Sequence, residues 1–121
     1  MATATAAVLA AFFLLMGCAA LAAPAKILQP FEIRVDSAPA RSEVRAVYGG
    51  FGVAMAAVLV VAAVNEGPRT GIMLAVGAAL AGMASGRLLS AAVDRRTAFY
   101  PVWFYFLIES AAAAALFTWH G

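Results

Sequence analysis

The chain has 121 residues, of which 65% are hydrophobic and 12% are charged, and its mean hydropathy is +0.94. These values lie outside the usual range of soluble domains, so the sequence predicts a membrane protein with no room for a separate soluble catalytic domain. The formal net charge of +2 comes from basic residues spread over short loops, which gives no support for nucleic-acid binding.

The first apolar run, residues 2–23, carries no charged residue and is long enough to cross a hydrocarbon core of about 30 Å. We predict that it forms the first transmembrane helix. Two other interpretations compete with this one. Residues 15–18 resemble a lipoprotein cleavage box, and residues 20–22 resemble a signal-peptidase site. Because no basic segment precedes the run, we expect it to be retained as a helix.

Residues 24–37 are predicted to form an interfacial loop, because charged residues are concentrated from Lys26 to Arg45. Apolar and polar residues alternate from Phe31 to Asp36, which is typical of an extended segment with one face against apolar surroundings. Ser37 followed by Pro39 marks the start of the next helix, since serine can cap free backbone N–H groups and proline fits the first turn.

Three further apolar segments predict helices over residues 38–64, 70–93 and 99–119. The polar break at residues 65–69 has turn chemistry and forces a helical hairpin. Tyr100, Trp103 and Trp119 mark the two ends of the last helix as an aromatic belt. The predicted fold is an all-α bundle of four transmembrane helices in a single domain, residues 1–121.

The basic residues predict the orientation. Four of them flank loop one, three flank loop three, and only Arg69 lies in loop two. Loops one and three are therefore expected to face the cytoplasm, with both termini on the outer side of a bacterial inner membrane. The residues counted for loop one are Lys26, Arg34, Arg41 and Arg45, and those for loop three are Arg87, Arg95 and Arg96.

Small residues at intervals of four predict close packing between helices. Lipid tails are as apolar as the side chains, so helices in a membrane associate through close backbone packing and polar contacts. Ala46, Gly50 and Ala54 form such a series in the second helix, and Gly82 and Gly86 form a pair in the third. We expect Gly50, Gly82 and Gly86 to lie at helix contacts.

One acidic residue stands where a charge is costly. Glu109 follows an apolar run and precedes five alanines, so it is expected near the middle of the last helix. A charged side chain there costs about 2.5–3.5 kcal/mol on insertion scales, so Glu109 needs a partner or a proton. Arg87 lies at a similar depth in the third helix. It either meets Glu109 or extends along its own stem to the interface.

In the second helix, Glu43 shares a face with the small-residue series, and Arg45 and Tyr48 lie on the opposite side. Three interpretations of the polar residues remain open. They form a structural network of ion pairs, a binding pocket for a headgroup, a quinone or a small polar solute, or a catalytic site. The candidate cluster comprises Glu43, Arg45, Tyr48, Arg87 and Glu109.

Other chemistry has no basis in the sequence. Cys18 has no companion thiol or histidine at ligand spacing, and His120, the only histidine, lies next to the C-terminus. We therefore predict no metal, no cofactor and no catalytic set.

Residues 41–50 (RSEVRAVYGG), residues 86–90 (GRLLS) and a glutamate in the last helix together resemble the bacterial family DUF4345, small four-helix membrane proteins without an established activity. The resemblance covers almost the whole chain and implies the four-helix fold and an inner-membrane location. It also directs attention to Glu43, Arg45, Arg87 and Glu109. A looser likeness to DoxX-like four-helix proteins, some of which accompany quinone-linked oxidoreductases, implies an accessory subunit.

The leading functional hypothesis is a non-enzymatic membrane protein that acts through helix contacts, as an oligomer or as an accessory subunit of a larger inner-membrane assembly. The alternative is a bundle that binds or transports a lipid, a quinone or a small polar solute at the Arg/Glu cluster. The expected partners are the lipid bilayer and a protein bound through transmembrane helices.

Overall fold

The computed structural model describes residues 2–118 as a bundle of four long helices. Each is long and apolar enough to cross a membrane, and the described residues contain no β-strand. The predicted all-α four-helix fold is confirmed, and it indicates a multi-pass membrane protein. Trp119, where the last helix was predicted to end, lies outside the described residues. The helices are α1 (Ala2–Ala22), α2 (Ala38–Val64), α3 (Glu66–Val93) and α4 (Phe99–Thr118).

The helices form a ring in chain order. Helix α1 packs extensively on α2, α2 packs on α3, and α3 packs on α4. The contact between α4 and α1, which closes the ring, is much the least extensive of the four. We call the end that carries residues 23–37 and 94–98 the loop-one end, and the end that carries the α2–α3 turn the hairpin end. The α1–α4 seam is thus the loosest side of the bundle.

Helices α1 and α2 approach closely through glycines. A Cβ atom on Gly17 would lie 2.8 Å from the backbone O of Gly49 and 2.8 Å from the backbone N of Val53. A Cβ atom on Gly52 would lie 3.0 Å from the Cα of Gly17. Only residues without a side chain permit such an approach of two backbones.

Within the chain, the glycines at helix contacts are therefore not those that the sequence pattern suggested. A Cβ atom on Gly50 would meet nothing closer than 3.7 Å, and one on Gly82 or Gly86 would meet nothing within 4 Å. All three are exposed on the outer surface of the bundle. In so alanine-rich a sequence, series of small residues occur on more than one face, and the spacing alone does not identify the face that meets a neighbour.

A π-helical segment, Arg45–Gly50, explains part of this difference. Val44 and Gly49 are both buried although they are five residues apart, one residue more than the usual interval in an α-helix. Below the π-helical segment the buried positions of α2 follow from Gly52 through Ala56 to Leu59. Glu43, Gly50 and Ala54 are exposed on the outer side.

Side chains cap the starts of α2 and α3. The hydroxyl of Ser37 accepts a hydrogen bond from the backbone N–H of Ala40 at 3.2 Å, and Pro39 lies in the first turn, as predicted. Asn65 accepts from the backbone N–H of Gly67 at 3.0 Å. Helix α3 thus begins at Glu66, about a turn earlier than the sequence pattern indicated, because a proline in the first turn does not interrupt the helix.

Loop one folds over the end of the bundle. It forms two short helical turns, Pro24–Ile27 and Gln29–Phe31, which lie before most of the segment predicted to be extended. Glu32 follows in the left-handed region with φ 62°, and residues 33–36 have no regular secondary structure. Val35 is buried against Ala20 and Val44, and Ile27, Leu28 and Tyr48 pack around them. This small core fixes the loop over the space between the helices.

Candidate functional site

A cavity of about 260 Å³ lies inside the loop-one half of the bundle. All four helices and loop one contribute to its wall. Most of the lining is apolar or aromatic, and α1 and α4 contribute half-buried residues such as Phe12, Met16 and Ile108 along their loose seam. The cavity is slightly below the range of about 300–1,000 Å³ that is usual for ligand pockets. It has room for a small molecule or for one end of a longer one.

An ion pair stands in the wall of this cavity. The Nε–H of Arg87 donates to Oε1 of Glu109 at 2.8 Å, and Nη2 donates to Oε2 at 3.0 Å. Glu109 is buried, with 4% of its surface exposed, while the Arg87 side chain retains 22%. Of the two alternatives left open by the sequence, the structure shows the contact between the two residues. This bidentate geometry is the strongest arrangement of an arginine with a carboxylate.

Two aromatic rings lie close to the guanidinium group of Arg87. Its Cζ atom lies 5.4 Å from the ring centroid of Phe31 and 5.8 Å from that of Tyr105. The two rings lie beside each other, with centroids 5.7 Å apart. Cation–π attraction at such distances stabilises a cation that has left water. Loop one therefore holds Arg87 in place as well as roofing the cavity.

The other members of the candidate cluster lie in different places. Tyr48, on α2, lines the same cavity as Arg87 and Glu109. Arg45 is exposed outside it and donates from Nε to the backbone O of Leu21 at 3.2 Å, at the end of α1. Glu43 is exposed on the outer side of α2. The structure thus brings three of the five residues together and leaves Glu43 and Arg45 outside.

Sequence reasoning missed the aromatic part of the site. Phe31 belonged to the alternating segment of loop one, and that alternation did indicate a face against something apolar, but not which group it would meet. Tyr105 stands four residues before Glu109, one turn away on the same face of α4. That spacing is the one signal in the sequence that links Tyr105 to the ion pair.

Another arginine, which is buried, lies at the hairpin end. Arg69, 9% exposed, donates from Nε to the backbone O of Ala62 at 2.7 Å and from Nη2 to that of Ala63 at 3.2 Å. These carbonyls belong to the last turn of α2, where no intrahelical donor remains. A cation there also meets the negative end of the helix dipole. Its contacts account for Arg69 as a structural residue of the hairpin.

The chemistry of the cavity is therefore that of an apolar space with one polar wall. Among residues 2–118, no three histidine, cysteine, aspartate or glutamate side chains are close enough together to hold a metal ion. Cys18 is exposed on α1, and His120 lies outside the described residues. An amphiphilic molecule matches this combination of an apolar lining and a hydrogen-bonding wall.

Comparison with known proteins identifies a family and no activity. The family model described as domain of unknown function (DUF4345) matches residues 1–120. Neither the curated proteins nor the solved structures contain a match.

Proposed function

Because the chain belongs to the family DUF4345, whose description names no activity, we propose a function from the geometry of the cavity: the protein binds a small amphiphilic molecule inside the membrane, without catalysis. The observation that carries this proposal is the cavity of about 260 Å³ beside the Arg87–Glu109 pair. Helix bundles in membranes commonly keep paired ionisable residues at ligand and ion pathways.

The loose α1–α4 seam supports a route of entry from the lipid. Phe12 and Met16 on one side and Ile108 on the other are half-buried and line the cavity. A molecule dissolved in the bilayer reaches this seam without passing through water. Loop one, anchored by Val35, covers the cavity from the other direction.

Filling the cavity tests the proposal. Ala112 lines it, and Ala111, the next residue of α4, is exposed on the outer surface. We expect Ala112→Leu to reduce the amount of co-purifying small molecule, measured by native mass spectrometry of protein released from detergent micelles. The matched variant Ala111→Leu should retain the wild-type amount. Equal retention in both variants, or no bound small molecule in the wild type, would contradict the proposal.

A second candidate function is helix-to-helix contact with another chain, as an oligomer or as an accessory subunit. It is favoured by the outer face of α3, where six small residues share one side of the helix and are all exposed. Without side chains in the way, a neighbouring helix can approach closely. The residues are Gly71, Ala75, Ala78, Gly82, Ser85 and Gly86.

Bulk on this face tests the second candidate. Gly82→Leu should lower the fraction of chemically cross-linked oligomer or of a co-purifying partner. Ala57→Leu adds the same kind of side chain on the exposed surface of α2 and should leave that fraction unchanged. A strictly monomeric wild-type protein without a partner would remove this candidate.

We also propose the inner membrane as the location, with loops one and three in the cytoplasm and both termini outside. The excess of lysine and arginine around loops one and three supports this orientation. Single cysteines are placed at Asp36 and at Asn65 in a protein with Cys18→Ala, and a membrane-impermeant thiol reagent is added to intact cells. We expect the reagent to label Asn65→Cys and not Asp36→Cys. Labelling of Asp36→Cys alone would show that the protein has the opposite orientation.

A further inference from the structure

We infer that the ligand of the cavity is an uncharged apolar molecule that carries a carbonyl oxygen, which accepts a hydrogen bond from Arg87. This inference rests on the proposed function and specifies the chemistry of its ligand. Three features of the cavity carry it: the electrical neutrality of the wall, the unused donors of Arg87, and the apolar lining.

The wall carries no net charge. Within residues 2–118, the charged side chains that line the cavity are Arg87 and Glu109, which neutralise each other. An anion or a cation entering this space would lose its hydration without meeting an opposite charge. Burial of an unpaired charge is among the most costly steps in protein chemistry, so the cavity selects against charged molecules.

The wall still offers hydrogen-bond donors. A guanidinium group carries five N–H donors, and Glu109 accepts two of them, from Nε and Nη2. The Nη1 group makes no hydrogen bond to any residue from 2 to 118. No fully buried side-chain nitrogen in that range lacks a partner, so Nη1 is accessible, and Arg87 is one of the residues that line the cavity. A ligand oxygen placed there satisfies this donor.

The remaining lining decides the body of the ligand. Apolar side chains of α1 and α3 make up much of it: Leu9, Phe12 and Met16 from α1, and Leu80 and Met83 from α3. These side chains bind apolar groups and offer nothing to a sugar or a polyol. The chemistry that fits is a hydrophobic chain or flat ring ending in a carbonyl group, which occurs both in lipid esters and in quinones.

Matched probes test the inference on the purified full-length protein. Methyl decanoate, decanoate and undecane have similar lengths and differ at one end, which is a neutral carbonyl, a carboxylate or a methyl group. Their binding is measured by native mass spectrometry in alkaline buffer, where decanoate is ionised. We expect methyl decanoate to bind about tenfold more tightly than either of the others, as one hydrogen bond and one avoided charge burial imply.

Changing the charge of the wall should change the preference. Glu109→Gln leaves Arg87 with an uncompensated positive charge, so decanoate should then bind more tightly than methyl decanoate. Glu43→Gln removes the same charge from the exposed side of α2 and should leave the wild-type order unchanged. A structural role of Glu109 alone would weaken all probes together without reversing their order.

The outcomes separate the inference from the proposed function. Decanoate or undecane binding to the wild type as tightly as methyl decanoate would overturn the inference, and the cavity would remain a binding site. No saturable binding of any probe would overturn both. Menadione, a flat quinone, forms the last arm. Tighter binding of menadione than of methyl decanoate assigns the carbonyl to a quinone, and the reverse assigns it to a chain ester.

Discussion

Two arginines are drawn into this bundle, and their surroundings differ in kind. At the hairpin end, Arg69 donates to the carbonyls of Ala62 and Ala63, which a helix terminus leaves without donors in any case. In the loop-one half, Arg87 meets the carboxylate of Glu109, a group that would otherwise be costly to place in a helix. One arginine completes the backbone, and the other depends on a second charged side chain.

The comparison teaches where ligand chemistry has room. Arg69 binds the helix end that it caps and lines no part of the cavity described above. Arg87 borders that cavity, and its aromatic neighbours Phe31 and Tyr105 hold it on one side only. The buried Arg69 is thus a structural residue at one end of the bundle, and the half-buried Arg87 is a candidate ligand contact at the other.

The largest expected effect on stability comes from removing Arg87, because its contribution is coupled to that of Glu109. Arg87→Met leaves Glu109 without its partner and should lower the free energy of unfolding by about 3–5 kcal/mol. The double variant Arg87→Met with Glu109→Met should be more stable than Arg87→Met alone, because no unpaired charge remains. Unfolding by SDS in mixed micelles, followed by circular dichroism, measures both. Additive losses would show that the ion pair is not coupled.

Arg69→Met should have the next largest effect. It leaves the carbonyl of Ala62 without its arginine donor and that of Ala63 with the hydroxyl of Thr3 alone, and it should cost about 1–3 kcal/mol in the same titration. Adding Glu66→Gln, the acid nearest in sequence, should change the loss only by its own separate effect, since Arg69 binds backbone. If Glu66→Gln restored stability to Arg69→Met, as Glu109→Met is expected to do for Arg87→Met, then Arg69 would also depend on an acidic partner and the two arginines would not differ.

A smaller effect is expected from the aromatic roof. Phe31→Leu keeps an apolar side chain over Arg87 but removes the ring, and the lost cation–π contact should cost about 1 kcal/mol. Phe99→Leu, at an exposed position of α4, is the matched control and should change the stability less. Equal effects of the two substitutions would indicate that the ring of Phe31 contributes only apolar surface.

The smallest effect concerns the hairpin end. The hydroxyl of Thr3 donates to the backbone O of Ala63 at 3.2 Å, a carbonyl that Arg69 also binds. Because that acceptor keeps one donor, Thr3→Val should cost about 0.5 kcal/mol. In Thr118→Val the lost bond lies within one helix, to Ala114, so the contact between α1 and α2 should be unaffected. The yield of cross-linking between cysteines placed on α1 and α2 measures this contact. It should fall slightly in Thr3→Val and stay unchanged in Thr118→Val.

The sequence predicted the parts of the site that follow from transfer energies. An acid in the middle of an apolar helix requires a partner, and Arg87 was the basic residue at a matching depth. The roles of Phe31 and Tyr105 were not predictable, because they depend on where loop one folds back. Nor was the outward position of Glu43, since α2 has small residues on two faces and the face that packs depends on its contact with Gly17 of α1.

By itself the sequence determined the number of spans, the helix start at Ser37 and the need of Glu109 for a partner. Each of these depends on local composition or on the cost of leaving water, which act on every residue wherever its neighbours are. Only the tertiary structure decided which faces meet, which glycines touch backbone, and that a cavity lies beside the ion pair. Those features depend on the shapes of two surfaces at once, and a nearly uniform apolar helix carries no polar side to mark them.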